Sequence, residues 1–333
     1  MTPTPALSIL DLAPVPSGGS NAESVRRTVD LAHLAERLGY VRHWFAEHHA
    51  MASVASAAPE VLIAHVAAHT TRLRVGSGGV MLPNHAPLRV AEAFRTLAAL
   101  HPGRIDLGLG RAPGSDAMAS RALRAADGEH FPELLAELLA LGGKYELPAG
   151  HPLRGLRAMP DDAPLPPIWL LGSSGASARM AGQSGMGYSF ASHFSPAPAG
   201  PAFDAYLAAF VPSADFPVPH TILGVAAVCA DTEGEAERLA GGMELAWVRI
   251  RSGVFAPLPS AEEAAAYRFN EAEDRLRRGF RQLLVAGTPA SVREQLLARA
   301  GECGASELMI TCNLHDHAAR LRSYELIAGA FGA

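Results

Sequence analysis

A carboxylate and two imidazoles stand side by side at Glu47, His48 and His49, directly after the apolar run at 44–46. A strand that ends this way delivers proton-transferring groups to one rim of a sheet, where α/β enzymes carry out their chemistry. The spacing does not fit a zinc motif, because the two histidines are adjacent rather than four residues apart. We therefore expect no metal here. A structural histidine cluster remains an alternative to acid/base chemistry, which is the interpretation we favour.

Three later apolar runs also end in residues that suit a ligand. The glycines at 76–79 let the main chain approach a flat group closely. Arg111 follows a glycine-rich strand end and could reach an anion. The hydroxyls of Ser173 and Ser174 stand at an expected helix start, where free backbone N–H groups and the helix dipole also favour negative charge. Together these ends suggest one site that binds a flat group carrying a phosphate.

Each of these motifs also has a plainer interpretation. Arg111 could be an ordinary surface arginine, and a serine at a helix start commonly caps the helix. A glycine-rich strand end can occur without any ligand. The run from Gly108 to Gly114 is G-x-G-x-x-x-G with Pro113 inside it, so it is a weak match to a dinucleotide-binding turn.

The chain alternates strand-like and helix-like segments, which sets where these groups would meet. Eight strands are predicted at residues 7–12, 41–46, 73–77, 105–109, 168–171, 186–191, 222–228 and 307–311. Eight strands, each followed by helical sequence, is the count of a (β/α)8 TIM barrel, a fold that carries its active site on the loops after the strands. We predict one domain over 1–333, with insertions at about 112–167 after strand four and about 231–286 before strand eight.

The composition limits the possible partners. Hydrophobic residues make up 49% of the 333 residues and charged residues 18%, with a net charge of −5. This balance gives no electrostatic reason to expect nucleic acid or an anionic membrane. Three cysteines without CxxC spacing fit a reducing compartment. We find neither a signal peptide nor an apolar run of membrane-spanning length, so we expect a cytoplasmic protein.

The chain resembles the bacterial-luciferase-like flavin monooxygenases, and is most similar to their uncharacterised luciferase-like oxidoreductase branch. The resemblance is carried, in the family's order and spacing, by residues 40–49, 74–83, 102–111 and 169–174. It implies a (β/α)8 barrel with reduced FMN bound at the carboxyl-terminal rim.

The same resemblance implies roles for single residues. His48 stands where the family has a histidine beside the reacting edge of the flavin. Gly78 and Gly79 stand where a non-proline cis peptide often lies under the ring. Arg111 and Ser173 match residues that contact the flavin phosphate.

The chain also departs from the luciferase pattern. The glutamate and threonine that flank the phosphate-binding serine of luciferase are replaced by Gly172 and Ala176. Ser174 and backbone N–H groups could take their place, which makes Gly172, Ser173 and Ser174 the expected phosphate-binding segment. A luciferase cysteine is replaced by Gly110, so no thiol-dependent behaviour is expected.

The implied reaction is activation of O2 by reduced FMN, through a C4a-peroxyflavin, to oxygenate a small organic substrate. His48 would handle protons, Glu47 would orient His48, and Ser192 and His193 would lie on the substrate side. Reduced FMN would be a co-substrate delivered by a separate flavin reductase, because we find no nicotinamide-binding fingerprint. A homodimer is common among relatives. Two alternatives remain: hydride transfer with the deazaflavin F420, and a flavin-binding protein without catalysis.

Overall fold

A computed structural model describes residues 4–332. Its strands are β1 (Ala6–Asp11), β2 (Arg42–Phe45), β3 (Arg74–Ser77), β4 (Val80–Met81), β5 (Ile105–Gly110), β6 (Ile168–Gly172), β7 (Gly187–Phe190), β8 (Thr221–Cys229), β9 (Leu284–Gly287) and β10 (Glu307–Thr311). Its helices are α1 (Asn21–Arg37), α2 (Pro59–His69), α3 (Pro87–Leu100), α4 (Ala117–Leu123), α5 (Phe131–Leu141), α6 (Gly175–Gln183), α7 (Gly200–Ala209), α8 (Glu233–Arg251), α9 (Ala261–Ala266), α10 (Glu271–Leu283), α11 (Pro289–Cys303) and α12 (His317–Phe331).

Eight of the strands form a closed parallel barrel in the order β1-β2-β3-β5-β6-β7-β8-β10. The barrel closes because β10 pairs with β8 on one side and with β1 on the other, with Glu307 opposite Ile222 and Ala6. These eight strands correspond to the eight predicted ones, and the (β/α)8 TIM barrel is confirmed. Since all eight are parallel, their carboxyl ends meet at one rim.

Local sequence accounts for several helix boundaries around the barrel. The side chain of Ser20 accepts a hydrogen bond from the backbone N–H of Glu23 and caps α1. Gly39, with φ of +72°, follows the end of that helix, where the left-handed conformation suits glycine. Pro59 and Pro87 occupy the first positions of α2 and α3, where the missing N–H costs nothing.

A buried charge network fills the barrel near the amino ends of its strands. The guanidinium of Arg42 lies 2.8 Å from carboxylate oxygens of both Asp106 and Glu307, and 4.8 Å from the ring centroid of Trp169. Arg74 also pairs with Asp106. Burial acts to raise the pKa of both carboxyl groups, but their cationic partners lower it overall. The network compensates its own charges and lies at the end of the barrel away from the strand tips, where active sites of this fold are not found.

The two predicted insertions contain most of their regular structure as helices. Residues 112–167 include α4 and α5, and residues 231–286 include α8, α9 and α10. The second segment also holds most of β9, which pairs with the end of β8 and was not predicted. Within residues 4–332, no helix is both long enough and apolar enough to cross a membrane.

Candidate active site

A cavity of about 730 Å³ opens among the residues that follow the barrel strands. Because it collects the tips of strands distant in sequence, it brings most of the predicted site residues together. The predicted residues that line it are Glu47, His48, Gly78, Arg111, Gly172, Ser173, Ser174 and His193.

Two predicted residues, Gly79 and Ser192, are not part of the cavity lining. The peptide bond between Gly78 and Gly79 is cis, as the resemblance implied. A methyl group added at Gly79 would lie 2.7 Å from the carbonyl oxygen of Gly108. The second glycine therefore permits close packing against β5, and the first one faces the cavity. Of the two residues expected on the substrate side, His193 lines the cavity and Ser192 does not.

His48 and His193 bring two neutral imidazoles to the cavity from the segments that follow β2 and β7. Burial away from water lowers the pKa of His48 to about 4. Burial, together with the proximity of His48, lowers the pKa of His193 to about 4. The Nδ1 atom of each ring is buried and has no hydrogen-bond partner among residues 4–332. Both rings are therefore uncharged at neutral pH and each has a polar atom still to be satisfied.

Glu47 is fully buried and its carboxylate accepts hydrogen bonds from several donors. These donors are the Nε2–H of His49 at 2.7 Å, the Nδ2–H of Asn84 at 2.9 Å, the Nε2–H of His85 at 2.9 Å and the backbone N–H of Met81 at 2.8 Å. Burial acts to raise the pKa of Glu47, but the bonds from His85, Asn84 and His49 lower it overall.

The expectation that Glu47 orients His48 is wrong in detail. No hydrogen bond joins the two side chains in the part of the chain that the structure describes. Strand β2 ends at Phe45, and the chain that follows turns the carboxylate toward Asn84 and His85 instead. Glu47 therefore anchors the wall beside His48, and its hydrogen bonds go to residues other than His48.

The residues predicted to bind an anion keep polar groups that are unused by the residues the structure describes. Arg111 is exposed and forms no ion pair with any described residue. Ser174 is the N-cap residue of α6, but its side chain makes no capping hydrogen bond. Its carbonyl oxygen accepts instead from the hydroxyls of Ser177 and Tyr188. The hydroxyls and first N–H groups at the start of α6 thus remain available to an anion beside the cavity.

Sequence reasoning missed two groups of cavity residues. Thr311 and Asn313, at the end of β10, line the cavity with buried side-chain oxygens that lack a partner among the described residues. The sequence did contain a signal for them, since both are polar residues at or just after the end of a predicted strand. The second group comes from α8, whose residues Met243, Trp247 and Ile250 form an apolar wall. Their helical spacing is equally typical of an ordinary core face, so the sequence held no signal for them.

The family model of the luciferase-like monooxygenases matches residues 6–307. The chain belongs to the luciferase-like monooxygenase family. A luciferase-like monooxygenase of Escherichia coli (strain K12) is 44% identical over 329 residues, covering 97% of this chain and 96% of the relative. An N-acetyl-S-alkylcysteine monooxygenase of Bacillus subtilis (strain 168) is 35% identical over 332 residues and covers 97% of each chain.

Solved structures agree with membership of the luciferase-like monooxygenases. The structure of apo-MsnO8 has a TM-score of 0.88 and 40% identity, and the match covers 98% of this chain and 97% of that one. Two structures of lower identity share the fold alone. One is the oxygenating component of 3,6-diketocamphane monooxygenase in complex with FMN, at 19% identity, and the other is an F420-dependent secondary alcohol dehydrogenase, at 12% identity.

Proposed function

We propose that this protein is an FMN-dependent monooxygenase that uses reduced FMN and O2 to oxygenate a small organic substrate. The observation that carries the proposal is the meeting of His48, Arg111 and Ser173 in one cavity at the carboxyl ends of the barrel strands. Membership of the luciferase-like monooxygenases supports the reaction class. The known binding of FMN by one fold relative and use of F420 by another support a flavin or deazaflavin cofactor.

The polar residues of the cavity fit the phosphate end of FMN. Arg111 supplies a cation with no ion-pair partner among residues 4–332, and Ser173 and Ser174 supply hydroxyls beside the start of α6. A helix start attracts anions through its free N–H groups and its dipole. We assign these residues, with Gly172, to the phosphate.

The same cavity also offers a place for the flat apolar ring of FMN. Gly78 offers bare main chain, and the lining beyond it is largely apolar. The Nδ1 of His48 has no hydrogen-bond partner within the described chain, and a group at the ring edge could satisfy it. We therefore assign Gly78 and Gly79 to the ring site and His48 to its reacting edge.

FMN, when bound and reduced, supplies the oxygen-activating chemistry. The chain's own contribution is binding, exclusion of water and proton handling. His48 is neutral at pH 7, so its ring can accept a proton and return it within the cavity. The apolar wall from α8 keeps water away from the reacting atoms.

The proposal extends to the partners of the reaction. Reduced FMN is delivered by a separate flavin reductase, since the sequence offers no convincing nicotinamide-binding turn. The protein is proposed to act as a homodimer. Sedimentation velocity of the purified chain, alone and with a flavin reductase, tests both statements.

Titration with FMN, reduced FMN and F420, followed by absorbance, tests the cofactor. We expect saturable binding of FMN in one or both redox states, and O2 consumption when reduced FMN and a substrate are present. Saturable F420 binding without any affinity for FMN would overturn the choice of cofactor. Hydride transfer with F420 consumes no O2, so an oxygen electrode separates the two chemistries. FMN binding without faster O2 consumption or product, across a substrate panel, would indicate a flavin carrier instead.

A further inference from the structure

One face of α8 is turned toward the cavity. Met243, Ala246, Trp247, Ile250 and Arg251 all line it, at the spacing of a single helical stripe. Four of these side chains are apolar or aromatic, and the last carries a charge. A stripe of this kind normally packs against protein, but here it borders open space.

Arg251 differs from every other arginine of α8 and α10. Each of the others has an acidic partner within 4.0 Å; they are Arg238, Arg249, Arg275, Arg277, Arg278 and Arg281. Arg251 has no such partner among residues 4–332. Its guanidinium lies 5.8 Å from the ring centroid of Trp247, which stacks on Phe280 at 4.9 Å. The cation is therefore held on an aromatic wall while its N–H groups stay available.

The chain that follows Arg251 leads to the side of the barrel away from Arg111 and Ser173. It is fixed to the segment after β1, because the backbone of Leu258 pairs with Val15 and Ser17. In the closed strand order, β1 stands opposite β6, the strand that leads to Ser173. Arg111 follows β5, the neighbour of β6. A ligand phosphate at Arg111 and Ser173 therefore leaves Arg251 for another group.

Among the charged residues of the cavity lining, Arg251 is the cation available to a second anion. The formally charged residues of the lining are Glu47, Arg111, Glu129 and Arg251. Glu47 already accepts hydrogen bonds from its own donors. Glu129 belongs to the Arg111 side of the cavity, because its neighbour Gly128 packs against the Arg111 side chain. The rest of the wall near Arg251 is Trp247, Ile250 and Met243.

We propose that the substrate is an apolar organic acid whose carboxylate binds Arg251 and whose apolar body lies on the α8 wall. A guanidinium on an aromatic surface matches a carboxylate by paired N–H donors. This inference rests on the proposed function, because it assigns the Arg111 side of the cavity to the cofactor.

Calorimetric titration with matched acids and amides tests whether Arg251 binds a substrate carboxylate. The probes are 4-phenylbutyrate, decanoate and N-acetyl-S-benzylcysteine, each beside its own primary amide, added to the FMN-loaded protein and to the apoprotein. We expect at least one acid to bind at least about tenfold more tightly than its amide. Arg251→Met should abolish that preference and Arg251→Lys should keep part of it. Arg249→Met is the matched control on the same helix, because Arg249 pairs with Glu263 and does not line the cavity.

The outcomes separate this inference from the cofactor assignment. If the wild-type protein prefers no acid over its amide, or if Arg251→Met keeps the preference, the inference is wrong. If Arg251→Met instead weakens FMN binding about tenfold or more, Arg251 serves the phosphate, and the inference fails while the flavin proposal stands. If the wild-type protein binds no FMN, the proposed function fails, yet the titration of the apoprotein still decides whether Arg251 selects acids.

Discussion

The imidazole of His85 directs its Nε2–H at both carboxylate oxygens of Glu47, at 2.9 Å and 3.0 Å. Asn84 donates to the same carboxylate from the neighbouring position, and Met81 donates through its backbone N–H. Glu47 thus joins the segment after β2, which carries His48, to the segment that follows the Gly78–Gly79 peptide. Two walls of the cavity are held together by one buried carboxylate.

Glu47→Gln should lower the free energy of unfolding by about 1–3 kcal/mol at pH 7, because buried donors would lose an ionised acceptor. The hydrogen bonds hold the Glu47 pKa below its ordinary value of 4.5 despite the opposing effect of burial. The carboxylate therefore loses its stabilising contribution as it becomes protonated, when the pH falls below about 4.5. Urea unfolding at several pH values measures the difference between the two proteins.

The difference between wild type and Glu47→Gln should shrink below pH 4.5. Glu133→Gln, on the exposed side of α5, is the control and should change stability little at any pH. A variant as stable as wild type at pH 7 would contradict the anchoring role of Glu47.

Parallel strand topology explains why the sequence could predict that several residues of the candidate site meet in one cavity. His48, Arg111 and Ser173 follow three different predicted strands, and strand ends of a parallel barrel meet at one rim. The hydrogen-bond partners of Glu47 could not be predicted, because Asn84 and His85 lie far along the chain, on and just after a short 3-10 helix. Adjacency in sequence favoured His48 as the partner instead.

The wall formed by α8 was unpredictable for a different reason. Met243, Trp247 and Ile250 have the spacing of a core-facing helix, and sequence alone does not reveal whether such a face meets protein or a cavity. Strand β9 was missed because it occupies four residues directly after the last turn of α10. Pairing with β8, rather than its own pattern, makes it a strand.

Arg111→Met should weaken FMN binding by about 10- to 100-fold, because a charge-assisted bond to the phosphate would be lost. Riboflavin lacks the phosphate, so its affinity should stay within about twofold of the wild-type value. Fluorescence titration with both flavins measures the two affinities. Arg121→Met, an exposed arginine of α4, is the control. Equal losses for FMN and riboflavin would mean that Arg111 supports the pocket without contacting the phosphate.

His48→Gln should lower product formation by about 10²- to 10⁴-fold, the usual contribution of a positioned proton-transfer group. FMN affinity should remain within about twofold, since glutamine keeps much of the side-chain volume. Peroxide released from reduced FMN, measured beside product, reports whether oxygen activation has become uncoupled from substrate oxidation. His65→Gln, on the exposed face of α2, is the control. Unchanged product formation would remove His48 from the proposed proton handling.

The two cavity histidines should make the fold sensitive to mild acid. Burial, and for His193 also the nearby His48, lowers both pKa values from 6.5 to about 4. Between pH 6.5 and 4 the unfolded chain binds protons at these positions and the folded chain does not, so stability falls as the pH falls through this interval. The double variant His48→Gln/His193→Gln should therefore lose less stability than wild type between pH 7 and pH 4.5. Between pH 7.5 and pH 8.5 the two proteins should change in parallel, which provides the internal control for urea unfolding. An equally steep acid loss in the double variant would show that other groups cause it.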